Sequence, residues 1–410
     1  MAIERTVSSP RFVPAAAEVL RVFVKLGLIS FGGPVAHLGY FRDEFVVRRK
    51  WLDESNYVDI VALCQFLPGP ASSQVGITIG ILRAGLPGAF CAWLGFTAPS
   101  AGALILFGYG VTVFGDPSRS AWLHGLMIVA AAVVAQAVWG MARSLCPDRE
   151  RVTLAIGAAV LALVLPSALP STVVQVGTII LGGVIGLFWL RAAPEDKVAH
   201  LAVPFGRGMA IGALAVFFIL LIGLPVLASA SGNQTLNLFD SFYRSGSLVF
   251  GGGHVVLPLL QQEVVPRGWI SNDAFLAGYG AAQAVPGPLF TFAAYLGTAM
   301  VPRPNGWLGG LICLVAIFLP SFLLLVGALP FWNDLRSQGL AQSGLKGINA
   351  AVVGLLLAAL YTPIWTSTIT RPFDFAMALV AFLLLVFWKV PPWVVVVLGA
   401  LVTGGAAWIA

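Results

Sequence analysis

The chain has 410 residues, of which 59% are hydrophobic and only 10% charged, with a mean hydropathy of +0.92 and a formal charge of +6. Soluble domains carry about 25% charged residues, so this composition excludes a globule that faces water on all sides. The small basic excess contains no long basic run or nucleic-acid-binding signature, which argues against a nucleic-acid partner.

The first stretch, MAIERTVSSPRFVP, is polar and lacks the apolar core of a cleavable signal. The pattern then predicts four short elements at about 14–30, 34–47, 56–67 and 70–83. Four longer apolar ones follow at about 88–114, 121–145, 151–166 and 169–191. A polar stretch, 192–206, leads into one further apolar helix at about 207–229. The second series runs at about 236–250, 253–265, 273–285, 288–300, 305–328, 340–362, 372–389 and 391–409. Several of these reach the roughly 20 apolar residues that cross a bilayer. Cys64, Cys91, Cys146 and Cys313 show no CxxC spacing and read as reduced core residues.

The two series match each other at an offset of about 219 residues. FGGPVAHLGYFRDEF at Phe31 lies over FGGGHVVLPLLQQEV at Phe250, pairing Lys25 with Arg244, Gly27 with Gly246 and Glu44 with Glu263. One residue drops out of the next loop, after which Trp51 meets Trp269, Gln65 meets Gln283 and the two Pro-Gly-Pro triplets coincide. Pro99-Ser100 then falls on Pro320-Ser321. The expected organisation is two homologous halves, 12–191 and 232–410, joined by a linker, 192–231, with one transmembrane helix.

If the short elements form re-entrant hairpins, four long helices and the linker helix give five crossings, and the second half starts on the opposite face. Arg48-Arg49-Lys50, Arg143, Arg149, Arg151, Arg191, Lys197 and Arg207 then fall on one side, which the positive-inside rule makes cytoplasmic. The Lys- and Arg-free stretch 231–237 and the lone Arg267 fall outside. The expected fold is therefore an all-α polytopic membrane protein, an inverted-topology repeat with broken, re-entrant helices. Secondary transporters use that organisation to build a site near mid-membrane.

The breaks suit an anion. Proline in the first helical turn removes an amide that has no partner there anyway, and the amides that follow project from a positive helix end. In the first half these are Pro68-Gly69-Pro70 and the amides of Ala71, Ser72 and Ser73, with Ser72, Ser73 and Gln74 as side-chain donors. In the second they are Pro286-Gly287-Pro288 with Thr291. Gly32-Gly33 and Gly251-Gly252-Gly253 allow a second backbone turn to approach closely. Lys25 and Arg244 are candidate intramembrane cations; the alternative is that they reach out to the interface. Glu44 and Glu263 are candidate proton carriers or partners of those cations. His37 and His254 do not align, so no metal pair is expected, and His254 stays a candidate donor. No HExxH, P-loop or GxSxG motif supports an enzyme or an ATP-driven pump.

SFGGPVAHLGYFRDEFVVRRKWLDESNYVDIVALCQFLPGPASSQ, with FGGGHVVLPLLQQEVV and AAQAVPGPLFTFAAYLG, resembles the two-domain chromate ion transporters over nearly the whole chain. The shared features are FGG, a downstream W-[LI]-[DS] and PGP in both halves. Ala71 departs from the family pattern, which has a polar residue after the first PGP. The resemblance implies export of chromate across the inner membrane, with sulfate as a related oxyanion, chromate resistance and no cofactor. Membrane potential or proton antiport would supply the drive, and a homodimer is the expected assembly. The alternatives are a carrier for sulfate or another organic or inorganic anion and, from another class, a membrane-embedded enzyme or scaffold.

Overall fold

Short helices ended by glycine and proline alternate with long apolar ones in the computed structural model. It describes residues 12–114, 121–169, 171–190, 204–250, 253–332 and 339–409, and every regular element among them is helical. Helix α1 (Phe12–Ile29) ends at the FGG turn, where Gly32 and Gly33 take φ of 101° and 77°. Pro34 opens α2 (Gly33–Arg42), which widens into a π-helical turn over Asp43–Arg48. Asp53 caps α3 (Glu54–Phe66) by accepting from the Asn56 amide at 2.7 Å. Helix α4 (Ala71–Phe114) begins immediately after the first PGP. It breaks at Ala84 and Gly85, so its arms 71–83 and 86–114 correspond to two predicted elements. Then come α5 (Ala121–Leu145), α6 (Arg149–Val164), α7 (Ser171–Trp189) and the linker helix α8 (Arg207–Ser231).

The second half repeats the order with α9 (Gln234–Ser247), α10 (Val256–Val264), α11 (Asn272–Ala284) and α12 (Phe292–Ala299). Ser271 caps α11 from the position Asp53 holds before α3, which is the physical role of the last residue in W-[LI]-[DS]. Helices α13 (Gly306–Ala328), α14 (Gly339–Ala359, continued by a wide turn over Leu360–Trp365), α15 (Pro372–Val386) and α16 (Pro392–Ile409) complete the chain.

Five described segments, in α4, α5, α8, α13 and from α14 through Thr368, are long and apolar enough to cross a membrane. Helices α6 and α15, with 16 and 15 residues, are shorter, and α7 and α16, with 19 and 18, stand at the lower limit. At 1.5 Å per residue they reach about 22–29 Å, close to but below a roughly 30 Å core. Proline chemistry at Pro166, Pro372 and Pro392 trims their ends.

The hairpins are re-entrant in form. Glu18 near the start of α1 pairs with Arg49 at 3.1 Å and Arg83 at 3.0 Å, so the chain returns to one face after α2 and again after the short arm of α4. In the second half the Val301 amide donates to the Trp269 carbonyl at 2.9 Å, bringing the ends of α10 and α12 together. Phe23, Phe41, Phe45 and Phe96 pack ring against ring inside the first pair of hairpins.

Reciprocal contacts relate the halves by a pseudo-two-fold, since each patch meets its counterpart in exchange. The Gly69 amide donates to the Val249 carbonyl at 2.7 Å, and the Gly287 amide donates to the Ser30 carbonyl at 2.9 Å. Each PGP thus closes on the residue preceding the other half's FGG. The same exchange recurs where α5 meets α16 at Gly125 and Gly399, and α14 meets α7 at Gly347 and Gly182. In each case a Cβ would overlap a backbone carbonyl, so small residues set the helix approach.

Candidate functional site

The residues singled out from the sequence fall into three places. The first is a pair of ion clusters at equivalent positions. Lys25 lies 3.9 Å from Glu44, which also accepts from Arg48 at 2.9 Å and Arg49 at 2.7 Å. Arg244 lies 3.0 Å from Glu263, which accepts from Arg267 at 2.9 Å, and Arg244 also reaches Asp240 at 3.1 Å. Both carboxylates are therefore partners of the cations, and each ties two arms of a hairpin together. The clusters differ in burial: the Lys25 side chain is 50% exposed and that of Arg244 only 21%.

The second place is the first break. Gly69 holds φ of 125°, and Gln74 folds back so that its Nε2 donates to the Pro68 carbonyl at 2.7 Å. Ser72, Ser73 and Gln74 are buried. His37 Nε2 lies 3.1 Å from the Ser30 carbonyl, which can only accept, so Nε2 carries the proton. His37 Nδ1 then accepts from the Ser72 hydroxyl at 3.2 Å. A neutral His37 thereby couples the first PGP helix to the residue that anchors the second PGP.

The third place is a cavity of 790 Å³ between the halves. The first half contributes Gly32, Gly33, Pro34 and His37; the second contributes Gly253, His254 and Gly287. Of the described residues expected at a site, Gly32, Gly33, Gly253, His254 and Gly287 border it; Pro34 and His37 join them without having been expected there. Pro68, Gly69, Pro70, Ala71, Ser72, Ser73 and Gln74 lie behind the His37 side of the wall, while Lys25, Arg244, Glu44 and Glu263 occupy the ion clusters. Thr291 donates its hydroxyl to the Pro288 carbonyl at 2.7 Å, within its own turn. Pro286 and Pro288 flank Gly287 without lining the space. Gly251 and Gly252 lie outside the described residues.

Besides His37, the polar wall residues Ser30, Tyr40, Gln136, Ser144, Gln283 and Lys389 were not singled out from the sequence. Gln136 on α5 and Ser144 one end further face the same space, and Gln283 lies on α11. Lys389, in a left-handed turn at φ 54° between α15 and α16, adds a cation. His254 Nδ1 lies 2.7 Å from the Tyr279 hydroxyl, which holds the ring in place. Phe31 and Trp393 face each other across the wall with ring centroids 5.8 Å apart. The cavity thus offers one exposed cation, two imidazoles, amide side chains and glycine backbone inside an aromatic rim. That chemistry suits a desolvated oxyanion, which is satisfied by N–H and O–H donors with one or two positive charges. No cluster of three or more His, Cys, Asp or Glu suited to a metal occurs among the described residues.

The chromate transporter family matches residues 17–187 and 236–404. A chromate transport protein of Pseudomonas aeruginosa is 28% identical over 349 residues, covering 82% of this chain and 77% of that protein. A probable chromate transport protein of Synechococcus elongatus is 26% identical over 360 residues, 83% of each chain. A chromate transport protein of Cupriavidus metallidurans is 24% identical over 400 residues, covering 95% of this chain and 93% of that one. No solved structure matches.

Proposed function

The chain belongs to the chromate transporter family, and on that premise we propose that it is a secondary carrier exporting chromate from the cytoplasm. The observation that carries this reading is the 790 Å³ cavity, where the FGG turn of one half and Gly287 of the other meet beside Lys389, His37 and His254. Under the positive-inside assignment, Ser144 sits at the cytoplasmic mouth, close in sequence to Arg143, Arg149 and Arg151, and Lys389 lines the same cavity. The described conformation is then inward-open.

In this scheme Lys389 draws the dianion to the mouth, since opposite charge in a low-dielectric funnel concentrates it. The anion passes alongside the packed Phe31–Trp393 pair and reaches the glycine backbone at Gly32, Gly33 and Gly253. His254 and His37 border its resting place; with Nε2 protonated, each neutral ring still donates one hydrogen bond. His37 already spends that donor on Ser30, which leaves His254 as the imidazole donor. A dianion leaving a cell that is negative inside gains roughly 4.6 kcal/mol per 100 mV. At about 1.36 kcal/mol per decade that gives more than a thousandfold concentration ratio. The potential therefore suffices, and Glu44 and Glu263, paired and away from the cavity, serve the hairpins rather than a proton path.

Chromate flux into liposomes containing only this protein, at fixed membrane potential and with sulfate as competitor, tests the proposal. Saturable flux that sulfate blocks and an imposed pH gradient leaves unchanged is expected. Flux that follows the pH gradient at constant potential would return the coupling role to a carboxylate. No chromate flux from folded protein would end the chromate reading, and sulfate or another oxyanion would be the next cargo examined.

A further inference from the structure

A second cavity, of 440 Å³, lies elsewhere in the helices, and its wall repeats that of the first. Helix α5 lines the first cavity with Val133, Gln136, Ala137, Gly140 and Met141. Helix α14 lines the second with Leu355, Ala358, Ala359, Thr362 and Pro363, the same five-position pattern displaced by a constant offset of about 222 residues. Gly125 and Gly347, the crossing points of those helices, are separated by the same offset. The remaining walls exchange halves as well. The first cavity takes the α15–α16 connection, and the second takes Pro166 in the α6–α7 connection together with Gln175 on α7.

The cavities open at opposite ends of the helices. Ser144 of the first precedes α6, whereas Pro166 of the second follows it, and the 16 residues of α6 separate them by about 24 Å. Helix α15 separates Thr362 from Lys389 in the same way.

They differ in depth and in charge. The first runs in to Ser30, Gly32 and Gly33 and touches Gly287. Among the described residues the second reaches no further than Pro258, five residues beyond Gly253 or about 8 Å along a helix, and neither Gly69 nor Gly253 lines it. Its polar lining is uncharged: Gln175, Gln261, Gln262, Asn272 and Thr362. Gln261 donates to Asn272 at 2.6 Å, while the buried Oε1 atoms of Gln261 and Gln262 have no partner. The unpartnered atoms are acceptors, open to water or another donor and not to a bare oxyanion.

We infer that the second cavity is the outward vestibule of the same pathway, closed short of its break in this conformation, and that the two halves exchange shapes to open it. The inference rests on the carrier reading above. The pseudo-two-fold supplies the mechanism. If each half adopts the other's conformation, α10 withdraws from its FGG as α2 has, and α2 closes. The reciprocal bonds of Gly69 and Gly287 sit where such a motion pivots. A lining without a cation, whose unpartnered amide atoms are acceptors, gives an oxyanion little hold, so it suits release rather than capture. It leaves the overall driving force untouched and makes the two faces unequal in affinity.

The test uses single cysteines in the full-length protein, in a background whose own cysteines are replaced and whose chromate flux is retained. Membrane-impermeant thiol reagents are added from either side of oriented vesicles. Gln262→Cys and, as a second site in case the first variant fails to fold, Thr362→Cys are expected to label only from the face opposite that of Ser144→Cys. Bulky labelling of either is expected to reduce flux to background. Val256→Cys, at the counterpart of His37 and buried in this conformation, is expected to label slowly from the Gln262 face as the halves exchange. Labelling of Gln262→Cys and Ser144→Cys from one face, an inert Val256→Cys, or unchanged flux after Gln262→Cys is fully labelled would each overturn the inference. Labelling needs no substrate. A protein that passes it but carries no chromate would keep the vestibules and lose the chromate reading.

Discussion

At Pro286-Gly287-Pro288 the backbone borders a cavity, whereas at Pro68-Gly69-Pro70 the same triplet is filled by its own chain. Gln74 closes on the Pro68 carbonyl, and Ser72 is taken by His37. The second half has Leu289–Thr291 in that turn, with the only short polar side chain folded back on Pro288. Sequence equivalence therefore fixes where the chain breaks, and local side chains decide which break meets the solute. The ion clusters teach the same lesson. Their carboxylates align and are equally buried, but of the aligned cations Lys25 is half exposed and Arg244 largely buried.

That contrast predicts unequal costs. Glu263→Gln leaves Arg244 with Asp240 alone, and thermal unfolding should register a loss of roughly 3 kcal/mol, the low end for breaking a buried pair. Lys25→Gln, at the exposed pair, should cost less than about 1 kcal/mol and leave transport intact. Equal losses at the two sites would remove the burial argument. Next in size are the glycines. Gly69→Ala and Gly287→Ala both force a side chain into left-handed backbone, φ 125° and 102°, for about 1–3 kcal/mol each. They should differ in function. An added methyl meets an equivalent serine hydroxyl at both, Ser321 for Gly69 and Ser100 for Gly287; beyond that it meets the movable Gln74 end at Gly69 but the fixed Phe96 carbonyl, at 3.1 Å, at Gly287, beside the cavity. Flux per folded molecule should fall for Gly287→Ala and hold for Gly69→Ala; equal flux would mean that both breaks serve the solute alike. The smallest effect is expected from Ser72→Ala, which removes the donor to His37 and should cost about 1 kcal/mol with normal chromate affinity.

Much of the architecture was legible in the sequence because it rests on local chemistry. Proline and glycine clustered as FGG and PGP end helices, while single prolines such as Pro99, Pro225 and Pro320 stay inside long ones, and rare residues in one order exposed the repeat. The reciprocal amide bonds of Gly69 and Gly287 were not legible, since they join positions about 180 and 257 residues apart that no spacing rule connects. The wall of the cavity was legible only in part. His37 was set aside because it does not align with His254, yet both border one space. A cavity between two pseudo-equivalent halves in different conformations draws different positions from each, so alignment is the wrong guide to it. Lys389 left no signal at all: it stands outside the repeat match, in FWKVPPW, and its place at the mouth comes from the turn between α15 and α16.

The most direct measurement is the concentration dependence of chromate flux in proteoliposomes for the unaltered chain and for Lys389→Gln. If the cavity between the halves is the oxyanion path, removing its exposed cation should raise the half-saturating chromate concentration about tenfold, near 1.4 kcal/mol, with little change in maximal rate. Superimposable curves from equally folded proteins would contradict that account.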